Sequence, residues 1–177
     1  MIILASKSPR RKELLSLITE DFEIKSANVD ETLPDGIAPD KAVEYLSKIK
    51  AMPLKNDTDT IIGADTVVAV DGKILGKPAD HEDAYNMLKM LSGKWHSVFT
   101  GITVIKPEKT ITVSVETKVK FFELNDDEIF KYINTGECDD KAGAYGIQGK
   151  GALLVEKIDG DYFNVVGLPV STLSKLL

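Results

Sequence analysis

The chain has 177 residues, 43% hydrophobic and 28% charged, with a net charge of −6 at pH 7. That length suits one domain or two small lobes around a shared core, and the composition is that of a soluble globular protein. A net acidic chain is a poor general binder of a nucleic-acid backbone, no apolar run approaches the roughly 20 residues that span a bilayer, and the single cysteine argues against both an internal disulfide framework and a Cys-based zinc site.

Residues 2–5, Ile-Ile-Leu-Ala, form a short apolar run with the pattern of a buried strand. Ser8 then offers an N-cap hydroxyl and Pro9 suits the first helical position, which predicts a helix over 9–17. Arg10, Arg11 and Lys12 fall in its first turn. A helix N-terminus carries partial positive charge, so cations there are unfavourable unless an anion joins them. Free backbone N–H groups, the hydroxyls of Ser6 and Ser8, and paired arginines form a phosphate-binding pattern. The alternative is a helix start whose arginines point into solvent.

Residues 22–29 read as extended, followed by an irregular stretch with Pro34, Gly36 and Pro39. A helix is expected over 40–52, stopped by Pro53, with Ala42, Val43, Leu46 and Ile49 on its inner face. Lys50 flanks that face, either snorkelling outward or reaching a buried anion. Residues 60–70 are nearly all apolar or small, the pattern of a strand buried on both faces. Asp71-Gly72 is a two-residue hairpin signal, with residues 73–75 returning.

An amphipathic helix is expected over 80–91, strands over 95–105 and 110–124, and a helix over 125–135 started by Asn125 and Glu128. A polar, glycine-rich loop covers 139–151. Strands are expected over 152–158 and 162–166, and a last helix after Pro169. The interleaved order predicts an α/β fold with a mixed sheet, and the hairpins exclude a purely parallel one.

Asp65 is the only ionisable residue in the 61–68 run. An unpaired buried carboxylate is costly, so it must be paired, hydrogen-bonded, metal-bound or protonated. At a strand end facing a cleft it would serve as metal ligand or general base; otherwise it braces a turn. Asp30-Glu31 is weaker, although Glu31 with Asp65 supplies the oxygen ligands a divalent cation takes alongside substrate phosphates. Lys77 reads as an ordinary turn lysine by itself. In the loop, glycines permit close backbone approach to a ligand and the Gln148 amide suits a base edge, against the alternative of a flexible surface loop. Cys138, His81 and His96 show no ligand spacing and read as structural or exposed.

These segments together resemble the Maf family of nucleoside triphosphate pyrophosphatases. The resemblance is carried by residues 4–11 (Leu-Ala-Ser-Lys-Ser-Pro-Arg-Arg), Lys50-Ala51, residues 62–68, Gly76-Lys77-Pro78, Leu91-Ser92-Gly93, residues 140–149 and residues 164–169 (Asn-Val-Val-Gly-Leu-Pro). It implies one Maf-like domain over 1–177, a mixed sheet flanked by helices with two lobes around a central nucleotide-binding cleft, and hydrolysis of a nucleoside triphosphate to monophosphate and pyrophosphate with Mg²⁺ or Mn²⁺. By the family pattern Asp65 is the proton acceptor. Ser6, Arg10, Arg11, Lys50 and Lys77 match phosphate-contacting positions, Glu31 an acidic active-site position, and Arg10, Thr66 and Gln148 specificity positions. The loop form resembles the subgroup acting on dTTP and UTP. The competing readings are a nucleotide-binding regulator of cell division without turnover, and a pyrophosphatase for 7-methyl-GTP or other purine triphosphates. The expected partner is a small nucleotide, with no nucleic acid and no membrane. The expected location is the cytoplasm, and a homodimer is compatible with this reading.

Overall fold

The computed structural model describes residues 1–177. The strands are β1 (Ile2–Leu4), β2 (Phe22–Ile24), β3 (Thr60–Val70), β4 (Lys73–Leu75), β5 (Trp95–Lys106), β6 (Lys109–Phe121) and β7 (Val155–Asp159). The helices are α1 (Pro9–Ser16), α2 (Pro39–Ala51), α3 (His81–Leu91), α4 (Asp126–Ile133), α5 (Tyr162–Val166) and α6 (Val170–Leu176). The sheet order is β2-β1-β3-β5-β6-β7, with β4 paired to β3. β1 pairs in parallel with both β2 and β3, whereas β4 and β7 pair antiparallel with β3 and β6. The sheet is therefore mixed, as the hairpin signals required.

The helix boundaries follow local chemistry. Ser8 Oγ accepts a hydrogen bond from the Arg11 amide and Pro9 opens α1, while no acidic residue stands in its first turn. Asn125 and Glu128 close a reciprocal capping box at α4. At Asp71-Gly72 both residues have positive φ, 49° and 74°, as the tightest hairpin turn demands.

Three expected strands are altered. The extended stretch over 22–29 keeps only three residues as β2. Residues 152–154 belong to a 3₁₀ turn over Gly149–Leu154, and β7 starts at Val155. Tyr162–Val166 is not a strand but α5, closed when the amides of Gly167 and Leu168 both donate to the Phe163 carbonyl at 3.0 Å.

The chain divides into two compact units. The first comprises residues 1–66, 99–115 and 163–177. Ile3, Ala5, Ala51, Ile61 and Ile105 form an apolar core cluster there. Two glycines let α2 approach the sheet closely. A Cβ on Gly63 would stand 2.2 Å from the Ser47 carbonyl oxygen, and one on Gly101 would stand 2.1 Å from that of Val43. The second unit comprises residues 67–98 and 116–162. In it His96, Phe121 and Tyr145 pack edge to face, with ring centroids 4.7–5.4 Å apart. No helix is long and apolar enough to cross a membrane.

Candidate active site

Strand alternation sets one half of the charged cluster. Gly63 and Asp65 lie two apart on β3 and so share one face of the strand. The contacts of Gly63 place α2 against that face, and Lys50 lies one helical turn beyond Ser47. Lys50 Nζ donates to Asp65 Oδ1, and the same ammonium lies 3.2 Å from Glu31 Oε2. Asp65 is buried, Lys50 is half-buried, and Glu31 lies in the exposed stretch before α2. Lys50 thus reaches an anion rather than snorkelling away. Asp65 stands sixth of eleven residues in β3, mid-strand rather than at the strand end that the sequence suggested.

The neighbouring residue on β3 meets α1. Arg11 Nε donates to the Gly167 carbonyl at 2.8 Å, Nη1 to Ser6 Oγ at 3.4 Å and Nη2 to Thr66 Oγ1 at 3.1 Å. Three of the five guanidinium N–H donors are committed to protein oxygens, so at most two remain for an anion. Burial pulls the Arg11 pKa below its ordinary value, and the negative charge of Asp65 opposes that shift. Arg10 precedes it on α1 and is half-buried.

The hydroxyls beyond Arg11 have a fixed direction. Thr100 Oγ1 donates to the Asn164 carbonyl at 2.9 Å, which uses its one proton. In the 2.8 Å contact between the two threonines, Thr66 is therefore the donor. The chain runs from Arg11 through Thr66 and Thr100 to the Asn164 carbonyl. Thr100 was not singled out from the sequence. Its hydroxyl lies in the continuously buried run 100–105 of β5, which carries no distinct signal in the sequence.

Lys77 and Gln148 belong to the second unit, and both are exposed. The loop carrying Gln148 is braced, not free. The Gly143 amide donates to the Gly76 carbonyl at 3.0 Å, which ties the loop to the residue before Lys77. Gly143 has φ +70°, and a Cβ on it would stand 2.9 Å from Val68 Cγ2, so only glycine fits. Tyr145 hydroxyl is hydrogen-bonded to His96 Nε2 at 2.7 Å, and the Gly146 amide donates to Tyr132 hydroxyl at 3.1 Å. The reading of His96 as structural matches its burial.

The first unit therefore brings together Ser6, Arg11 and Thr66 in one hydrogen-bonded group and Glu31, Lys50 and Asp65 in another. The Glu31 and Asp65 oxygens reach one cation, the Lys50 ammonium. A pair of carboxylates converging on one cation is the hard, oxygen-only donor set that Mg²⁺ or Mn²⁺ takes when phosphate oxygens complete its shell, and the residues fit such an ion.

A mixed α/β sheet carrying cations at a helix start, beside carboxylates gathered on an ammonium, defines a protein equipped for a polyanionic ligand. A family model described as Maf-like protein matches residues 1–177, and the chain belongs to that family. A dTTP/UTP pyrophosphatase of Thermosipho africanus is 53% identical over 176 residues, covering 99% of this chain and 91% of the relative. Proteins of the same name from Bacillus pumilus and Pyrococcus furiosus are 49% and 53% identical over 178 residues, covering 99% of this chain and 94% and 93% of theirs. Among solved structures, the Staphylococcus aureus Ham1 protein is similar with a TM-score of 0.47 at 17% identity, over 68% of this chain and 71% of that one.

Proposed function

We propose that residues 1–177 act as one pyrophosphatase domain that hydrolyses dTTP and UTP to the nucleoside monophosphate and pyrophosphate. The observation that carries this reading is the convergence of Asp65 and Glu31 on Lys50, in the same unit as the Ser6–Arg11–Thr66 group. The names of the relatives supply the substrate class.

Asp65 is the proton acceptor. Its Oδ1 takes the Lys50 hydrogen bond, which leaves Oδ2 to accept a proton from the attacking water. The water oxygen bonds to the α-phosphorus, the bond from that phosphorus to the bridging oxygen breaks, and pyrophosphate leaves. Ser6, Arg10, Arg11, Lys50 and Lys77 contact the phosphates. Catalysis is then mainly positioning and charge stabilisation. Mg²⁺ or Mn²⁺ on Glu31 and Asp65 would neutralise triphosphate charge and polarise the α-phosphate. Gln148 reads the pyrimidine edge, and Arg10 and Thr66 bear on which nucleotide fits, Thr66 through its hold on Arg11. The cytoplasm, where nucleoside triphosphates are found, is the proposed location.

Pyrophosphate release from a panel of nucleoside triphosphates with Mg²⁺ or Mn²⁺ tests the proposal. The expected result is preferential turnover of dTTP and UTP. Equal turnover of purine triphosphates would overturn the specificity, and binding without turnover would overturn the enzymatic reading.

A further inference from the structure

His81 and Asp139 stand 58 residues apart in the chain, yet His81 Nε2 lies 3.2 Å from Asp139 Oδ1. The same carboxylate oxygen lies 3.4 Å from Cys138 Sγ. One ligand atom from each of the three side chains falls within 4.8 Å of the others. The fold thus brings together three side chains that show no ligand spacing in the sequence. The first residue of α3 meets the segment after α4, and all three residues belong to the second unit.

The two separations to Asp139 Oδ1 match those around a bound ion. Ordinary zinc bond lengths are roughly 2.0–2.1 Å to imidazole nitrogen, about 2.0–2.2 Å to carboxylate oxygen and about 2.3 Å to thiolate sulfur. Tetrahedral angles then place nitrogen and oxygen about 3.3 Å apart, and sulfur and oxygen about 3.5 Å apart. We propose that His81 Nε2, Cys138 Sγ and Asp139 Oδ1 form a site for a thiophilic divalent transition metal of the Zn²⁺ class, made of residues other than the Glu31–Asp65 pair.

The chemistry of the donor set selects the metal. Mixed sulfur, nitrogen and oxygen ligands favour zinc over magnesium, which takes oxygen alone. On binding, the Cys138 S–H bond breaks, the metal–sulfur bond forms, and the proton goes to solvent. The Asp139 and Cys138 anions then balance the two charges of the ion. His81 and Asp139 are exposed, so the ion enters from their side, while buried Cys138 forms the floor. Three protein ligands leave the fourth tetrahedral position open. The ion would fasten the start of α3 to the root of the segment that leads into Lys141 and on to Gln148.

The test is titration of the metal-free full-length protein with Co²⁺, followed by Zn²⁺ competition. One equivalent of Co²⁺ should produce a thiolate-to-cobalt charge-transfer band that Zn²⁺ abolishes. Cys138→Ser should remove the band. His81→Ala and Asp139→Asn should weaken Co²⁺ binding by at least about 100-fold, the upper end of what outer-shell partners are worth. These two positions are exposed, so their variants decide the matter even if Cys138→Ser fails to fold. A Glu31→Gln variant should keep the band. No band at saturating Co²⁺, or a band unchanged by His81→Ala, would overturn the proposal.

Discussion

Lys50 reaches from α2 to Asp65 in the middle of β3, fifteen residues later in the chain, and its ammonium holds the Asp65 carboxylate and that of Glu31 together. This arrangement explains how a carboxylate can stand in an otherwise apolar strand. It also makes the two partners unequal. Asp65 is buried, whereas Lys50 has a second, exposed acceptor in Glu31.

Asp65→Asn keeps the shape of the side chain and removes its basicity. Lys50 retains Glu31, so the fold should survive. The expected outcome is a fall in kcat for dTTP of about 10²–10⁴, the usual worth of a positioned general base, with an unchanged circular dichroism spectrum. Lys50→Met should behave differently. It leaves a buried carboxylate without its cation, which costs about 3 kcal/mol and should appear as a lower urea midpoint as well as lower activity.

Thr66→Val tests the hydroxyl chain. The substitution keeps the volume but leaves Arg11 Nη2 without its acceptor and ends the donation into Thr100. An unsatisfied donor of this kind costs about 1–3 kcal/mol. Arg11 should lose its fixed orientation, raising KM for dTTP more than it lowers kcat. Steady-state kinetics with dTTP and UTP would separate the two effects. A fall in kcat with KM unchanged would place Thr66 in the chemical step instead.

The sequence was most legible where one physical rule acted alone. Ser8-Pro9, Asn125 with Glu128, and Asp71-Gly72 are local capping and turn signals, and each stands where it was expected. Asp65 was conspicuous because a charge in a buried run demands a partner, although its position in the run could not say which partner. Tyr162–Val166 misled because aromatic and β-branched residues favour strands, while the tertiary surroundings close a helical turn there. Thr100 was silent because a single threonine suits a strand whether or not its hydroxyl is used. His81 is exposed and Cys138 buried, in keeping with their reading as exposed or structural, but their approach depends on the path from α3 to the end of α4, which leaves no spacing in the sequence.

Gly101→Ala should be among the most damaging single changes in the chain. A Cβ there would stand 2.1 Å from the Val43 carbonyl oxygen and 2.3 Å from its carbon, both backbone atoms of α2 that no side-chain rotation can move aside. Overpacking of this sort costs about 1–3 kcal/mol or more. Because α2 carries Lys50, its displacement should also reduce activity at temperatures where the protein remains folded. Chemical denaturation and kinetics on the same preparation would check both effects.

His96 should set the acid limb of stability. It is buried with 3% exposure, hydrogen-bonded through Nε2 to Tyr145 hydroxyl, and packed edge to face against Phe121 and Tyr145. Burial lowers its pKa from 6.5 to about 4. Between those values the unfolded chain binds a proton that the folded chain does not, so stability is full above pH 6.5 and falls as the pH drops towards 4. The shift is worth about 3 kcal/mol over that window. Replacing His96 with Gln, which cannot titrate, should remove this part of the acid dependence, leaving the contribution of the carboxylates. Unfolding free energies of both proteins, measured by urea between pH 4 and pH 7, should therefore converge as the pH falls. Parallel curves would show that His96 titrates alike in the folded and unfolded states. Convergence would identify the buried His96 ring, bonded to Tyr145 hydroxyl, as the group whose protonation on unfolding lowers stability at acid pH.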